Sequence, residues 1–237
     1  EAVVIKKVPK PEYNCKDIEK ITQYYYSQQN IETAKFISQY YVCSLGEALS
    51  VFTPFDKRLA LEVHSIEIND DITLSSNQEK ALEFCNKNKT ALLFANTGSG
   101  KTEVYIKLIK QTILDNKQAI LLMPEISLTP QMEKRFQKVF GSAIALWHSK
   151  ITKKKKEAIL EGIQSGSIKL IAGARSALFL PLKDLGLIIV DEEHDESYKS
   201  DQKPRYHAKD LSIYLGSNYN IQVVLGSATP SITSFNK

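Results

Sequence analysis

A short glycine-bearing segment follows an apolar run at residues 91–95 and reads Asn96-Thr97-Gly98-Ser99-Gly100-Lys101-Thr102. When a strand ends in such a turn and a helix follows, several backbone N–H groups and the positive end of the helix dipole point at one place. A negatively charged phosphate group binds favourably there. Lys101 can reach the outer phosphates of a nucleotide, and the Thr102 hydroxyl can ligate Mg²⁺. Ala95 stands where the usual G-x-x-x-x-G-K-[ST] spacing has its first glycine. We predict a nucleoside triphosphate site formed by Thr97, Gly98, Ser99, Gly100, Lys101, Thr102 and Glu103.

A second apolar run, Leu187-Ile188-Ile189-Val190, leads directly into Asp191-Glu192-Glu193-His194. Mg²⁺-dependent phosphoryl transfer requires two such carboxylates, since one holds the water shell of the metal and the other polarises the attacking water. We predict that Asp191, together with Thr102, holds Mg²⁺ and that Glu192 is the catalytic base. The two motifs, about 90 residues apart, together predict one metal-bridged polyphosphate site. The predicted catalytic residues are Lys101, Asp191, Glu192 and His194.

Apolar runs alternate with amphipathic segments from about Thr90 onward. The predicted strands are 91–95, 119–123, 143–147, 168–172, 187–190 and 222–225. The predicted helices are 101–114, 127–139, 152–164 and 207–215. This alternation predicts an α/β fold with a central parallel sheet covered on both faces. Ligands of such sheets bind beyond the carboxyl ends of the strands, which is where the phosphate segment and the acidic motif both fall.

The first 58 residues have a different pattern, with predicted helices at 15–27 and 32–42. The region is dense in aromatic residues, which favours a small helical core over a surface that stacks on nucleobases: Tyr24, Tyr25, Tyr26, Phe36, Tyr40 and Tyr41. Residues 59–75 are predicted to form an extended linker. The predicted domains are therefore a small, mainly helical partial domain at 1–58, the linker at 59–75 and an α/β lobe at 76–237.

The composition of the chain is that of an ordinary globular protein, with 237 residues and 43% apolar residues. The net charge of +4 permits an anionic partner without requiring one. Cys15, Cys43 and Cys85 are too few and too widely spaced for a disulfide framework or a zinc site, so we expect reduced thiols and a cytoplasmic protein. No apolar run approaches the ~20 residues that span a bilayer. The chain begins without Met, at a segment with strand character, and we expect it to be a fragment.

The D-E-x-H pattern of Asp191, Glu192 and His194 resembles the second motif of superfamily-2 helicases and translocases. The later segment Gly226-Ser227-Ala228-Thr229 is similar to their third motif, which links nucleotide state to the grip on nucleic acid. The resemblance implies that Ser227 and Thr229 are coupling residues. Gln78 lies where these proteins place an adenine-recognising glutamine. The fold implied is a RecA-like P-loop NTPase lobe.

Longer stretches narrow the resemblance to the replication-restart helicases of the PriA (primosomal protein N′) family. They are Pro124 to Gln131 (PEISLTPQ), Gly173 to Pro181 (GARSALFLP), and Asp191 to Lys199 (DEEHDESYK) with its continuation from Pro204 to Asp210 (PRYHAKD). The segment Ser38 to Glu47 (SQYYVCSLGE) resembles the end of that family's DNA-binding domain. The resemblance implies an ATP-dependent 3′-to-5′ DNA helicase, an ATP hydrolase that acts in replication restart and primosome assembly.

The resemblance also implies DNA contacts. Thr129, Gln131 and Arg175 lie in stretches that these helicases use against the DNA backbone. The loop after D-E-E-H is an aromatic-rich sensor of single-stranded DNA in that family, and the matching positions here are Tyr198, Lys199, Arg205 and Tyr206. An aromatic face and an Arg plane can stack on bases while Lys neutralises phosphate. The implied partners are forked and single-stranded DNA, the primosome proteins and the single-stranded-DNA-binding protein. The resemblance does not imply binding to a membrane.

Members of the family have a second lobe, which supplies an arginine finger for ATP hydrolysis and carries a zinc-binding cysteine cluster. The cofactors expected of this chain are ATP and Mg²⁺. Zinc is expected only in the second lobe. We therefore expect these residues alone to hydrolyse ATP very slowly. The alternatives are a nucleotide- and single-stranded-DNA-binding module of another superfamily-2 translocase and a small-molecule P-loop kinase. The kinase leaves the D-E-x-H pattern unexplained. The basic run Lys153-Lys154-Lys155-Lys156 favours a solvated helix face over a nonspecific DNA contact.

Overall fold

The computed structural model describes residues 3–5, 9, 12–13, 20–60, 62, 66–69 and 71–235. Its strands are β1 Tyr24–Tyr25, β2 Phe55–Asp56, β3 Thr90–Phe94, β4 Gln118–Leu122, β5 Ile144–Trp147, β6 Leu170–Gly173, β7 Leu185–Val190 and β8 Gln222–Ser227. Its α-helices are α1 Gln28–Tyr40, α2 Leu45–Ser50, α3 Ser76–Lys87, α4 Lys101–Leu114, α5 Pro130–Phe140, α6 Lys153–Ser165, α7 Ala208–Asn218 and α8 Ile232–Phe235.

The strands β3 to β8 form one parallel six-stranded sheet in the order β3-β8-β7-β4-β6-β5. Parallel strands are joined by crossovers, so their carboxyl ends all meet at one edge of the sheet. The segments after β3, β7 and β8 therefore lie side by side, because β8 pairs with both of the other strands. The predicted α/β fold with a central parallel sheet is confirmed.

Side chains alternate between the two faces of the central strands. In β4, Ile120 and Leu122 belong to one hydrophobic cluster, whereas Ala119 and Leu121 belong to the other. Residues of α3, α4 and α5 complete the second cluster, and residues of α1, α2, α6 and α7 complete the first. Both faces are thus covered by helices, which explains why β4 is apolar without the polar alternation of a half-exposed strand.

The helices α1 and α2 share a core with the sheet. Ala34, Ile37 and Leu49 are buried in the same cluster as Ile120. The ring of Phe36 stacks on that of Tyr214 in α7 with 3.7 Å between their centroids. The amino-terminal helices are therefore an integral layer of the lobe, and the domain boundary at residue 58 remains a prediction.

The predicted helix at 15–27 is the main difference in secondary structure. Residues 15–19 lie outside the described part of the chain, and residues 20–26 are not helical. Instead, β1 pairs antiparallel with β2, and the Tyr25 ring stacks on Phe55 at 5.4 Å. The aromatic residues of this stretch thus find their partners in a strand pair, which a local pattern of aromatics does not reveal.

The described parts of the predicted linker lie against the lobe. Asn69 donates a backbone hydrogen bond to Val139 at 2.9 Å, and Glu62 donates one to Ser165 at 2.8 Å. Residues 61, 63–65 and 70 lie outside the description. Cys43 and Cys85 are free thiols. Within the part of the chain that the structure describes, no helix has the length and apolar character needed to cross a membrane.

Candidate nucleotide site

The phosphate segment joins the end of β3 to the start of α4. Gly98 and Gly100 have φ angles of +79° and +86°, a left-handed conformation that glycine adopts without steric cost. Gly100 precedes the first residue of α4, and no side chain caps this helix end. The N–H groups of the first turn are thus directed at the space above the sheet edge, where they can bind an anion. Thr97 and Ser99 are exposed beside it.

Lys101 brings the phosphate segment and the acidic motif together. Its Nζ donates a hydrogen bond to the Ala95 carbonyl at 3.1 Å and lies 3.5 Å from Glu192 Oε1. The side chain is only 9% exposed, so its charge acts at short range in a partly desolvated position. This contact joins the ends of β3 and β7, the two strands that the sequence predicted to form one site.

Asp191 is held by a residue that the sequence patterns did not single out. Tyr105 donates its hydroxyl hydrogen to Asp191 Oδ1 at 2.8 Å. Burial raises the pKa of Asp191 above its ordinary value, and the Tyr105 hydrogen bond offsets this only in part. Burial, and then the charge of Asp191, raises the pKa of Tyr105, so its hydroxyl remains a donor. Tyr105 lies one turn after Thr102 on α4, and this spacing is the signal that places both on one helix face.

Gly226 leaves the space that the Tyr105–Asp191 contact needs. A Cβ atom on Gly226 would overlap the Tyr105 hydroxyl and lie 3.4 Å from Asp191 Oδ1. The glycine of Gly226-Ser227-Ala228-Thr229 is thus explained by a close approach rather than by its φ angle.

We predict that Gly226→Ala displaces Tyr105 and destabilises the protein by about 1–3 kcal/mol, as overpacking does in a well-packed interior. Thermal or chemical unfolding measures the change. The control is Gly46→Ala in α2, where a Cβ would meet nothing nearer than Ser44 Oγ at 4.0 Å. Equal stability of the two variants would contradict the close approach.

The acidic motif and the third motif are in direct contact. Glu192 has a φ angle of +46°, which is uncommon for a residue with a side chain and is found at sites that surrounding structure holds in place. The Nδ1 atom of His194 lies 2.8 Å from Ser227 Oγ, and its Nε2 atom lies 3.3 Å from Thr229 Oγ1. His194 Nδ1 is also 3.7 Å from Glu192 Oε2. His194 therefore lies between Glu192 and the residues Ser227 and Thr229, and the coupling role of these two residues stays a prediction.

Gln78 contacts the phosphate segment from α3. Its Nε2 donates to the Ser99 and Gly100 carbonyls, each at 3.3 Å, while its Oε1 accepts from the Ser75 N–H at 2.8 Å. A Cβ on Gly100 would overlap the Gln78 amide. Gln78 is therefore placed beside the predicted nucleotide site, and adenine recognition stays a prediction.

Glu103 contacts Arg135 of α5 through a charged hydrogen bond. Arg135 was not predicted, because no local motif contains it and only the packing of α5 against α4 brings it to the first turn after Thr102. A carboxylate at the start of a helix also stabilises the positive helix end. Glu103 thus has a structural partner at the edge of the site, and direct nucleotide contact by Glu103 stays a prediction.

The predicted DNA-binding residues Thr129, Gln131 and Arg175 all follow carboxyl ends of strands. Thr129 accepts a hydrogen bond from the Met132 N–H at 3.3 Å and so caps α5, and Gln131 is exposed in the first turn of that helix. Arg175 donates to the Ser197 carbonyl at 2.7 Å and to the Lys199 carbonyl at 2.5 Å. Arg175 therefore holds the loop after D-E-E-H in place.

Two aromatic residues of that loop are buried, which corrects the expectation that their rings stack on bases. Tyr198 is 1% exposed, and its hydroxyl donates to the Asp191 carbonyl at 2.5 Å and to the Leu122 carbonyl at 3.1 Å. Tyr206 is 5% exposed and packs edge-on against Phe179. Both rings are core residues, because the apolar cluster beneath the loop accommodates them and the carbonyls satisfy the Tyr198 hydroxyl.

The basic residues of the loop, Lys199, Lys203 and Arg205, are exposed. Lys199 donates to the Arg205 carbonyl at 2.6 Å and lies over the Tyr41 ring at 5.1 Å from its centroid. The Arg205 side chain is exposed. In the basic run at the start of α6, Lys153, Lys154 and Lys155 are also exposed, and Lys156 lies 5.7 Å from the centroid of the Trp147 ring. The loop thus presents exposed basic side chains, together with the exposed acids Glu196 and Asp201, rather than aromatic rings.

Comparisons with known proteins agree with this geometry. Residues 75–237 match the family described as DEAD/DEAH box helicase, and residues 1–54 match the 3′ DNA-binding domain family of PriA. The replication restart protein PriA of Helicobacter pylori strain J99 is 50% identical over 235 residues, which are 99% of this chain and 38% of that protein. PriA of Bacillus subtilis is 40% identical over 182 residues, which are 77% of this chain and 23% of that protein.

Solved structures show the same fold at low sequence identity. RecG bound to a three-way DNA junction superposes with a TM-score of 0.52 over 70% of this chain and 22% of that one, at 22% identity. The helicase domain of Pyrococcus furiosus Hef superposes with a TM-score of 0.50 over 70% of this chain and 35% of that one, at 17% identity. These likenesses concern the arrangement of the sheet and its helices.

Proposed function

The chain belongs to the DEAD/DEAH box helicase family, and we propose that it is the ATP-binding lobe of a PriA-type DNA helicase that acts in replication restart. The chain spans 38% of the length of its Helicobacter pylori relative. The activity of the whole protein is therefore part of the proposal. The observation that carries it is the position of Lys101, whose Nζ lies 3.5 Å from Glu192 and joins the phosphate segment to the acidic motif.

Each residue at the sheet edge has a distinct role in this proposal. The N–H groups of the phosphate segment and Lys101 hold the phosphates, and Gln78 recognises the adenine base. Mg²⁺ suits the donors, because it is usually bound through one or two protein oxygens together with substrate phosphates, and here Thr102 and Asp191 would hold it. When bound, the ion neutralises charge that develops on the phosphates. Glu192 orients the attacking water and accepts its proton.

We also propose that DNA contacts the carboxyl edge of the sheet through its backbone. Arg205 and Lys199 are exposed on the loop after D-E-E-H, and Gln131 is exposed on α5. Basic side chains bind phosphates independently of sequence and with strong salt dependence. In this proposal Thr129 caps α5 and Arg175 holds the loop after D-E-E-H at the same edge. Tyr198 and Tyr206 support that loop from the core. Ser227 and Thr229 couple the DNA-binding edge to the nucleotide. The proposal includes forked and single-stranded DNA as substrates, primosome proteins and the single-stranded-DNA-binding protein as partners, and a cytoplasmic location.

The function is tested by ATP hydrolysis and strand displacement with the full-length protein. We expect single-stranded DNA to stimulate hydrolysis and displacement to proceed 3′ to 5′. Arg205→Ala should leave hydrolysis without DNA unchanged, raise the DNA concentration needed for half-maximal stimulation, and lower the slope of log affinity against log salt by about 1.

The matched control is Lys87→Ala. Lys87 is exposed at the end of α3, before β3 and hence at the opposite edge of the sheet, where it pairs with Glu83. Such a surface pair contributes about 0–1 kcal/mol, so the control should fold and respond to DNA as the unmodified protein does. Hydrolysis that DNA does not stimulate would contradict the helicase function. Equal DNA responses of the two variants would remove Arg205 from the interface.

A further inference from the structure

Glu193, the third residue of D-E-E-H, is turned away from the nucleotide site and is 1% exposed. Its carboxylate accepts hydrogen bonds from Lys209 Nζ at 2.7 Å, the Ser231 N–H at 2.7 Å, Ser234 Oγ at 2.8 Å and Ser231 Oγ at 3.2 Å. Lys209 Nζ in turn lies 3.1 Å from Ser231 Oγ and 3.3 Å from Ser234 Oγ. The roles proposed above for the nucleotide and DNA leave this cluster without a purpose.

The cluster is built around charge. The Glu193 carboxylate lies 2.7 Å from Lys209 Nζ, and the Glu193 side chain is completely buried, so the two groups form a buried ion pair. Lys209 is itself 8% exposed. A buried ion pair of this kind contributes little net stability over an apolar pair, whereas its geometry is specific. The cluster therefore indicates a requirement for position rather than for stability.

The backbone of Glu193 is equally constrained. Its N–H donates to the Gly226 carbonyl at 3.0 Å. The residue before it, Glu192, contacts Lys101, and the residue after it, His194, contacts Ser227. Glu193 is thus fixed between two residues of the predicted site, while its side chain reaches the segment 231–235 that follows the third motif.

Among the described residues, the segment 231–235 makes few apolar contacts. Within α8 no residue is buried, and Ile232 and Phe235 are 79% and 63% exposed. The Phe235 ring meets that of Phe94, at the end of β3, edge-on at 6.0 Å. Because so little apolar surface is buried, the polar contacts with Glu193 and the ring contact with Phe94 set the position of the segment.

We propose that Glu193 is a positioning residue that couples the nucleotide site to the segment 231–235. The inference rests on the proposed function, since it requires a nucleotide at the phosphate segment. Displacement of Glu192 and His194 moves the intervening Glu193, and the three hydrogen bonds that Ser231 and Ser234 donate to its carboxylate transfer that movement to the segment. Lys209 of α7 donates to the same carboxylate, so α7 is part of the same hydrogen-bonded cluster.

Hydrogen exchange measured by mass spectrometry on the full-length protein, with and without Mg·ADP, tests the proposal. In the unmodified protein we expect nucleotide to slow exchange in peptide 96–103 and to change it about tenfold in peptide 229–235. Glu193→Gln, which keeps the shape of the side chain but removes its charge, should retain the effect at 96–103 and lose the effect at 229–235. Its KM for ATP should stay within about twofold while the DNA-stimulated kcat falls about tenfold.

A second variant, Ser231→Ala with Ser234→Ala, keeps the buried Glu193–Lys209 pair and the Ser231 N–H bond, and removes the two hydroxyl groups through which the segment contacts that pair. It should give the same selective loss even if Glu193→Gln does not fold. Absence of protection at 96–103 in the unmodified protein would contradict the nucleotide site itself. Two outcomes would overturn the coupling role of Glu193. In the first, nucleotide protects peptide 96–103 of the unmodified protein but leaves exchange in peptide 229–235 unchanged. In the second, peptide 229–235 responds to nucleotide and the variants keep that response.

Discussion

Replacement of Lys101 by Ala in the full-length protein is expected to lower kcat/KM for ATP by at least about 10²–10³-fold, the usual cost of removing one group that stabilises developing charge. The side chain is 9% exposed and its Nζ lies between the Ala95 carbonyl and Glu192. The cation is thus already oriented where polyphosphate would bind, and water cannot substitute for it at equal strength. Phosphate release under saturating DNA measures the loss.

Nucleotide affinity should also fall in Lys101→Ala, because the charge acts on the ground state as well as on the transition state. The control is again Lys87→Ala, which removes a lysine at the far edge of the sheet. Circular dichroism of both variants checks that the fold is retained. ATP turnover by Lys101→Ala at the rate of the control would show that the phosphate site is elsewhere.

Replacement of Glu192 by Gln is expected to leave nucleotide affinity within a few fold and to lower kcat by about 10²–10⁴-fold, the usual contribution of a general base. Gln keeps the size of the side chain and its place beside Lys101 and His194, but its amide cannot accept the proton of the attacking water. Titration with a fluorescent ADP analogue measures binding, and a single-turnover assay measures hydrolysis.

The matched control for this variant is Glu196→Gln, an exposed acid four residues further along the same loop. It removes the same charge from the same region without touching the Lys101 contact. We expect normal hydrolysis from it. Glu192→Gln with unimpaired turnover, or a loss of the same size in Glu196→Gln, would mean that Glu192 is not the base.

The sheet and its helices were largely predictable because their signals are local. The helix α4 spans Lys101–Leu114 as predicted, since the glycine turn before it and its apolar periodicity mark both ends. Most residues of the parallel strands are apolar, because helices cover both faces of the sheet, and the structure places each strand within two residues of its predicted bounds at both ends. The strand pair β1–β2 was missed because its partners are separated along the chain.

The roles of individual side chains were less predictable. The aromatic pattern of the loop after D-E-E-H suggested exposed rings, yet Tyr198 and Tyr206 are buried under a loop whose basic residues face outward. Whether an aromatic ring faces solvent or the core depends on what packs beneath it, and that surface comes from β4 and from residues 175–179. A short motif does not contain this information.

The sequence by itself determined the α/β class, the phosphate segment and the acidic motif, because each depends on residues that are neighbours along the chain. Only the tertiary structure decided that Tyr105 holds Asp191, that Gly226 must lack a side chain, and that Glu193 reaches Ser231 and Ser234. The parallel sheet brings together residues that lie far apart in the chain at one edge, and contacts at that edge depend on which strands are adjacent. Adjacency is a product of packing the whole sheet, so no local pattern encodes it.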